Sequence, residues 1–219
     1  MTKYSDILEG DLRWREAELV SLKRLAIVHN DNDVVLSATL RACWALLYAH
    51  FEGFTKFCWE LLLDHVQSEK LSISQLSKDF QLLALEKLFR ALRGNSKSNS
   101  LWDFFNTTLP AELQSIAFFP TECRLETESN LWPDVFEREC ARIGVKSTTL
   151  ESSRRRIEAL VSRRNDIAHG KNMTIKSVEE YSEYEHAALL VLHDLAVQVL
   201  EVIENKAYMT TLELARPHN

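Results

Sequence analysis

Ala38-Thr39-Leu40-Arg41-Ala42-Cys43-Trp44-Ala45-Leu46-Leu47-Tyr48 is apolar nearly all round when wound as a helix. A surface helix confines its apolar residues to one stripe, whereas a helix apolar on every side sits inside a bundle. The spacing predicts that this helix runs from about Val34 to Val66. Before it, Ile7, Leu8, Leu12, Leu19, Leu22, Leu25 and Ala26 recur at helical spacing and predict a helix from about Ser5 to His29. Asn30-Asp31-Asn32-Asp33 is the turn between them, with short side chains suited to capping the next helix.

Beyond Val66 the chain reads as further helices. Ser72 to Asp79 is a polar connector, Phe80 to Leu92 a helix stopped near Gly94, and Asn95 to Ser100 a polar loop. Short helices are expected over Leu101 to Phe105 and Ala111 to Ala117, while Pro120 to Asn130 has no regular pattern. Leu131 to Ile143 is helical with Gly144 as its stop. Thr148-Thr149-Leu150-Glu151 has the form of a capping box, opening a helix whose Leu150, Ile157, Val161 and Ile167 keep a helical rhythm up to Gly170. Ser177-Val178-Glu179-Glu180 is a second such box. It opens a helix to about Glu204 with Tyr181, Tyr184, Ala188, Leu192, Leu195, Val199 and Val202 along one side. Strand-like alternation, internal repeats and a glycine-rich phosphate loop are all missing from the sequence. The expected fold is all-α: one helical bundle over residues 1–205, with a mostly helical middle insertion at about 70–130 and a tail at 206–219.

Composition agrees. The 219 residues are 46% hydrophobic, with only 5 Gly and 4 Pro to interrupt helices. The most apolar run, Ala42 to Phe51, is flanked by Arg41 and Glu52 and is too short to span a membrane. Met1-Thr2-Lys3-Tyr4-Ser5-Asp6 lacks the charged and apolar regions of a signal peptide, so a cytoplasmic protein with no membrane partner is expected. Cys43, Cys58, Cys123 and Cys140 form no C-x-x-C pair, and His65, His186, His193 and His218 show no ligand spacing. Buried thiols, no metal and no cofactor are the expectation. Net charge is −6, but from Lys146 to Lys176 eight Lys or Arg face three acids, leaving that window at about +5. Such a stripe holds phosphates or is simply a solvated helix face.

The segment with chemical content is Arg163-Arg164-Asn165-Asp166-Ile167-Ala168-His169-Gly170, at the end of a capped helix. Asn165 and His169 are four apart and share a face. Arg164 and His169 are five apart, or about 140° around an ideal helix. To meet at one phosphate, the last turn opens, the long arginine reaches round, or the site takes residues from two subunits of a two-fold dimer.

Arg164-Asn165-x-x-x-His169 resembles the R-x(4–6)-H motif of HEPN domains, and the whole string resembles prokaryotic HEPN families found beside toxin–antitoxin and phage-defence genes. Leu47-Tyr48-Ala49-His50-Phe51-Glu52-Gly53-Phe54-Thr55-Lys56 is similar to the early helix of those families, where Glu and Lys stand four apart. Ser129-Asn130-Leu131 and Ile143-Gly144-Val145 are similar to their middle region. The resemblance implies an all-α fold, a homodimer with a composite site, and metal-independent RNA cleavage in which the 2′-OH attacks the adjacent phosphate. On that pattern His169 handles protons, Arg164 stabilises the negative charge of the transition state, and Asn165 orients the histidine or a phosphate oxygen. Arg163, Lys171, Arg154 and Arg155 would hold RNA backbone, with Glu52 and Lys56 in support. A toxin or antiviral-defence role, restrained by an antitoxin or another partner protein, goes with that family.

Plainer readings stand beside these. Arg164 pairs with an acid such as Glu52, His169 caps its helix, and Glu52 with Lys56 is a structural i,i+4 pair. Arg154, Arg155 and Arg156 point three ways, so a solvated face accounts for them. Arg24-Leu25-Ala26-Ile27-Val28-His29 also fits R-x4-H, but four apolar residues fill its gap and it reads as core packing. Trp44, Tyr48, Phe51, Phe54, Phe57 and Trp59 read as core and subunit interface. The alternative function is a non-catalytic HEPN module that binds a nucleotide or a partner protein, or a helical scaffold in a defence complex.

Overall fold

The structure, a computed structural model, describes residues 2–93, 98–120 and 125–210. Among them the chain is all-α, with helices α1 (Lys3–Val28), α2 (Asp33–Ser68), α3 (Lys78–Ala84), α4 (Glu86–Arg93), α5 (Ser98–Asp103), α6 (Leu109–Leu113), α7 (Pro133–Arg142), α8 (Leu150–Ala168) and α9 (Val178–Glu204). No strand occurs among the described residues; Ser72–Ile116 and Leu76–Met209 are isolated bridges. Gly94, the loop residues 95–97, Cys123 and the tail beyond Thr210 lie outside the described residues.

The chain divides into two compact units. The first comprises residues 1–58, 126–138 and 147–200, and the second 59–125, 139–146 and 201–219. The second takes in most of the insertion expected at 70–130.

In the first unit, α2 is the core helix. Leu40, Cys43, Trp44, Leu47, Tyr48, Phe51, Phe54 and Cys58 lie along one broad face and are buried, as are Leu8, Leu12 and Leu19 of α1, Ile157, Leu160 and Val161 of α8, and Tyr181, Val191 and Leu195 of α9. Each large apolar side chain so removed from water stabilises the fold by roughly 1.5–3 kcal/mol. Two core aromatics have their polar ends bonded across the fold: Trp44 Nε1 donates to the Leu160 carbonyl at 3.0 Å, and the Leu131 amide donates to the Tyr48 hydroxyl at 2.8 Å. Phe51 stacks on Phe136 at 5.6 Å.

In the second unit Phe80 meets Phe119 and Tyr208 edge-on, and Tyr208 also bonds His65 at 3.2 Å. The Ser77 amide donates to the Tyr208 carbonyl and the Thr210 amide to Gln75, so the start of the tail is tied down. Arg142 bonds Glu86 and Glu139 and lies over the Trp59 ring.

Several expectations need correction. The helix expected over Phe80 to Leu92 bends at Leu85. Leu83 and Leu85 would point to opposite sides of a straight helix, and the bend lets both be buried. The short helices at 101–105 and 111–117 are one nearly continuous run, Ser98 to Leu113, with a π-helical turn at Phe104–Thr108. Arg24 to His29 is not core: Ala26 is buried, but Leu25, Ile27 and Val28 are exposed, because the end of α1 turns only one face inward. Finally, α2 and α9 are each long and apolar enough to cross a membrane by length and composition, contrary to the expectation that no segment is. The core position of α2 accounts for its apolar character. Cys43, Cys58 and Cys140 are buried; burial, with Glu185 nearby, pushes the Cys43 thiol up to about 11.

Candidate active site

The end of α8 is built by its last turn. Gly170 adopts φ +72°, its amide donates to the Ile167 carbonyl, and the Lys171 amide donates back to Asp166. This is a Schellman closure, which needs the left-handed residue that glycine supplies without steric cost. It leaves His169 as the last residue of the turn, exposed, with its backbone amide on the Asn165 carbonyl at 2.9 Å. The imidazole makes no hydrogen bond to the described residues, so the side chain does not cap the helix.

The other end of α8 is anchored differently from the capping box expected there. The Thr149 side chain makes no cap bond to α8. Asp194 of α9 instead accepts from the Ser147, Thr148 and Thr149 hydroxyls and from the Thr148 and Thr149 amides, at 2.8–3.1 Å. The carboxylate of a neighbouring helix thus takes the hydroxyls themselves as donors, through charge-assisted bonds, while Ser147 Oγ accepts the Leu150 amide at 3.2 Å. Burial works to raise the Asp194 pKa, but these hydrogen bonds prevail and hold it below the usual range. At the start of α9 the Ser177 hydroxyl accepts the Glu180 amide, while the Glu180 carboxylate turns to the Lys176 amide and to Arg163.

Arg163 and Arg164 have contrasting surroundings. The Arg163 guanidinium lies 5.0 Å from the Trp44 ring and 5.3 Å from Tyr184, and donates to Glu180 at 2.6 Å. It joins α8 to α2 and α9. Arg164 stacks on the Tyr48 ring at 4.6 Å, and its Nη1 donates to the side-chain oxygens of Asn130 at 3.0 Å and Asn165 at 3.1 Å. No carboxylate is bonded to it among the described residues. Glu52 is taken by Lys56 at 2.5 Å and lies beside the Tyr48 hydroxyl, whose pKa is pushed up to about 12 by burial and by that carboxylate.

The structure thus brings together Arg164, Asn165, Tyr48 and Asn130, with Glu52 and Lys56 adjoining. Within one chain Asn165 serves Arg164 rather than His169. Lys171 pairs with Asp166 at 2.7 Å on the surface. Arg154 is gripped by Glu151, Asp134 and Glu137, contacts that raise its pKa. Arg155 is exposed. Sequence reasoning misses Asn130 and Tyr48 as site residues. Both lie in segments with family resemblance, but their meeting with Arg164 is a contact across the fold.

A buried polar cluster also escapes sequence reading. Arg15 bonds Asp11 at 2.6 Å and His50 Nδ1 at 3.3 Å, and His50 Nε2 faces Glu18 at 2.9 Å. Burial and the Arg15 charge push the His50 pKa down. Gly53 makes room for it, since a Cβ there would meet Arg15 Nη1 at 3.0 Å.

Fold and site together define an all-α protein with an Arg-Asn-x3-His helix end, the arginine held and the histidine exposed. The profile of the MAE_28990-like HEPN family matches residues 4–208, and the chain belongs to the HEPN family. No curated protein and no solved structure matches the chain.

Proposed function

We propose that this HEPN protein is a metal-independent endoribonuclease that acts as a homodimer. The observation that carries this reading is the treatment of Arg164. Its neighbour Arg163 and Arg154 on the same helix are matched by carboxylates, whereas Arg164, among the described residues, is held by a ring and two amide oxygens and by no carboxylate. A fixed, unneutralised guanidinium is suited to the charge of a pentacoordinate phosphate. In the reaction, the 2′-oxygen bonds to phosphorus and the P–O5′ bond breaks, leaving a 2′,3′-cyclic phosphate and a 5′-hydroxyl. His169 takes the 2′-OH proton or delivers one to the departing oxygen, the work for which histidine is the usual side chain. Need for the 2′-OH excludes DNA as substrate.

RNA backbone would be held by Arg155 and by Lys171, whose single surface pair is worth only about 0–1 kcal/mol and yields to phosphate, and by Arg154 where phosphate displaces its three carboxylates. Arg163, stacked and paired, would contribute least. A toxin or antiviral-defence role in the cytoplasm, restrained by an antitoxin or other partner, fits this activity. The second reading is a non-catalytic module binding a nucleotide or a protein; the net charge of −6 and the carboxylates on Arg163, Arg154 and Lys171 favour it.

Total RNA incubated with the protein in EDTA, beside His169→Ala and Arg164→Ala, tests the proposal. Cleavage with cyclic-phosphate ends that vanishes in both variants supports it. A folded dimer that cuts nothing favours the binding module, and cleavage surviving both substitutions moves the site elsewhere.

A further inference from the structure

We infer that Asn130 is a positioning residue for Arg164, working with the Tyr48 ring to fix the guanidinium while leaving its charge unneutralised; this rests on the nuclease reading of Arg164. Three observations converge on it. Asn130 Oδ1 accepts from Arg164 Nη1 at 3.0 Å, and the same Nη1 reaches Asn165 at 3.1 Å. The Tyr48 ring lies under the guanidinium at 4.6 Å, and the hydroxyl of that same tyrosine accepts the amide of Leu131, the next residue after Asn130. One side chain therefore sets the plane of the arginine and pins the segment that carries its partner.

The third observation is the turn that delivers Asn130. Glu128 and Ser129 take φ +48° and +76° in succession, without a glycine at either position. Such backbone costs on the order of 1–2 kcal/mol per residue and persists where surrounding contacts over-determine it. Here the Asn130 amide donates to the Thr127 carbonyl at 2.8 Å and Glu128 pairs with Arg138 at 2.9 Å. The strained turn serves to aim an uncharged acceptor at Arg164.

The choice of amide over carboxylate is the chemical point. An aspartate at 130 would hold the guanidinium more strongly and would neutralise it. An amide oxygen orients Nη1 and leaves Nη2 and Nε to a phosphate with the positive charge intact. Asn130 need touch no substrate to matter, because a misplacement of about 1 Å in a charged group costs up to about 100-fold in rate.

The test uses the full chain, Asn130→Ala and Asn130→Asp, with folding checked by thermal melts. Initial rates of RNA cleavage are followed against RNA concentration, and 15N spectra of the Arg164 guanidinium are assigned with Arg164→Lys. In the wild type the Arg164 Nη signals are resolved, as for a guanidinium whose rotation is hindered. In Asn130→Ala they average, and kcat falls on the order of 10–100-fold while KM moves less than about threefold. In Asn130→Asp the signals stay resolved and kcat still falls, an outcome that a merely structural Asn130 would not give from a near-isostere. Wild-type kcat in both variants, or averaged signals in the wild type, overturns the inference. A wild type that cleaves no RNA overturns the nuclease reading instead, and the spectra still decide whether Asn130 holds Arg164.

Discussion

Arg163 and Arg164 are adjacent in sequence and opposite in surroundings. Arg163 is shared between two aromatic rings and a carboxylate, so its loss removes a cation–π contact and unpairs Glu180. Arg163→Ala is expected to lower stability by about 2 kcal/mol, read as a fall in melting temperature. Arg164→Ala is expected to lower RNA cleavage by about 100–1,000-fold with a smaller change in melting temperature. The reverse pattern would assign the functional charge to the wrong arginine. In the sequence the two are told apart only by their spacing to His169 within RRNDIAHG, a local signal that points to the candidate site. Which arginine is held by carboxylate and which by amide depends on Glu180, Tyr48 and Asn130, brought up by other parts of the chain.

The two ends of α8 carry the site's geometry and differ in how visible they are in sequence. The C-terminal end follows from one glycine. Gly170→Ala meets no neighbour, so its cost is backbone strain alone, about 1 kcal/mol, and it tilts the turn that presents His169. A variant that loses cleavage and only that much stability, by denaturant titration, fits this account; unchanged cleavage would show that the turn does not aim the histidine. The N-terminal end reads as a local capping box and is in fact held by Asp194 of α9, whose carboxylate accepts from three hydroxyls and two amides. Asp194→Ala is expected to cost about 2–3 kcal/mol at neutral pH. The Asp194 pKa is depressed in the fold, so this stability is present above the unfolded value near 3.8 and is lost as pH falls through the folded one. The gap between wild type and variant in a melting series should therefore close below about pH 4; a constant gap would mean the carboxylate's charge is immaterial. Helix types and most boundaries are legible for the usual reason, periodic burial. The bend at Leu85 is not, since it serves to bury two leucines that a straight helix would separate.

At the scale of the whole molecule the question is how many chains make one site. Arg164 is turned toward Tyr48 and Asn130, while His169 stands exposed five residues on, about 140° round the helix. No hydrogen bond joins the two side chains, and Asn165, which would have bridged them, is engaged by Arg164. The proposed two-fold dimer would resolve this by pairing the arginine of one chain with the histidine of its partner, so that each of two equivalent sites would draw on both chains. Mixing His169→Ala with Arg164→Ala tests that arrangement directly. If the site is shared, each mixed dimer has one intact site and one doubly defective site. Random exchange makes half the dimers mixed, so activity should return to about one quarter of wild type from two inactive proteins. Refolding the pair together, with each homodimer refolded alone as control, gives the number. If both residues act within one chain, every site in the mixture lacks one of them and no activity returns. Recovery would also explain why an exposed histidine with no hydrogen bond to the described residues sits at the end of so firmly anchored a helix: its orienting contacts would come from the second subunit.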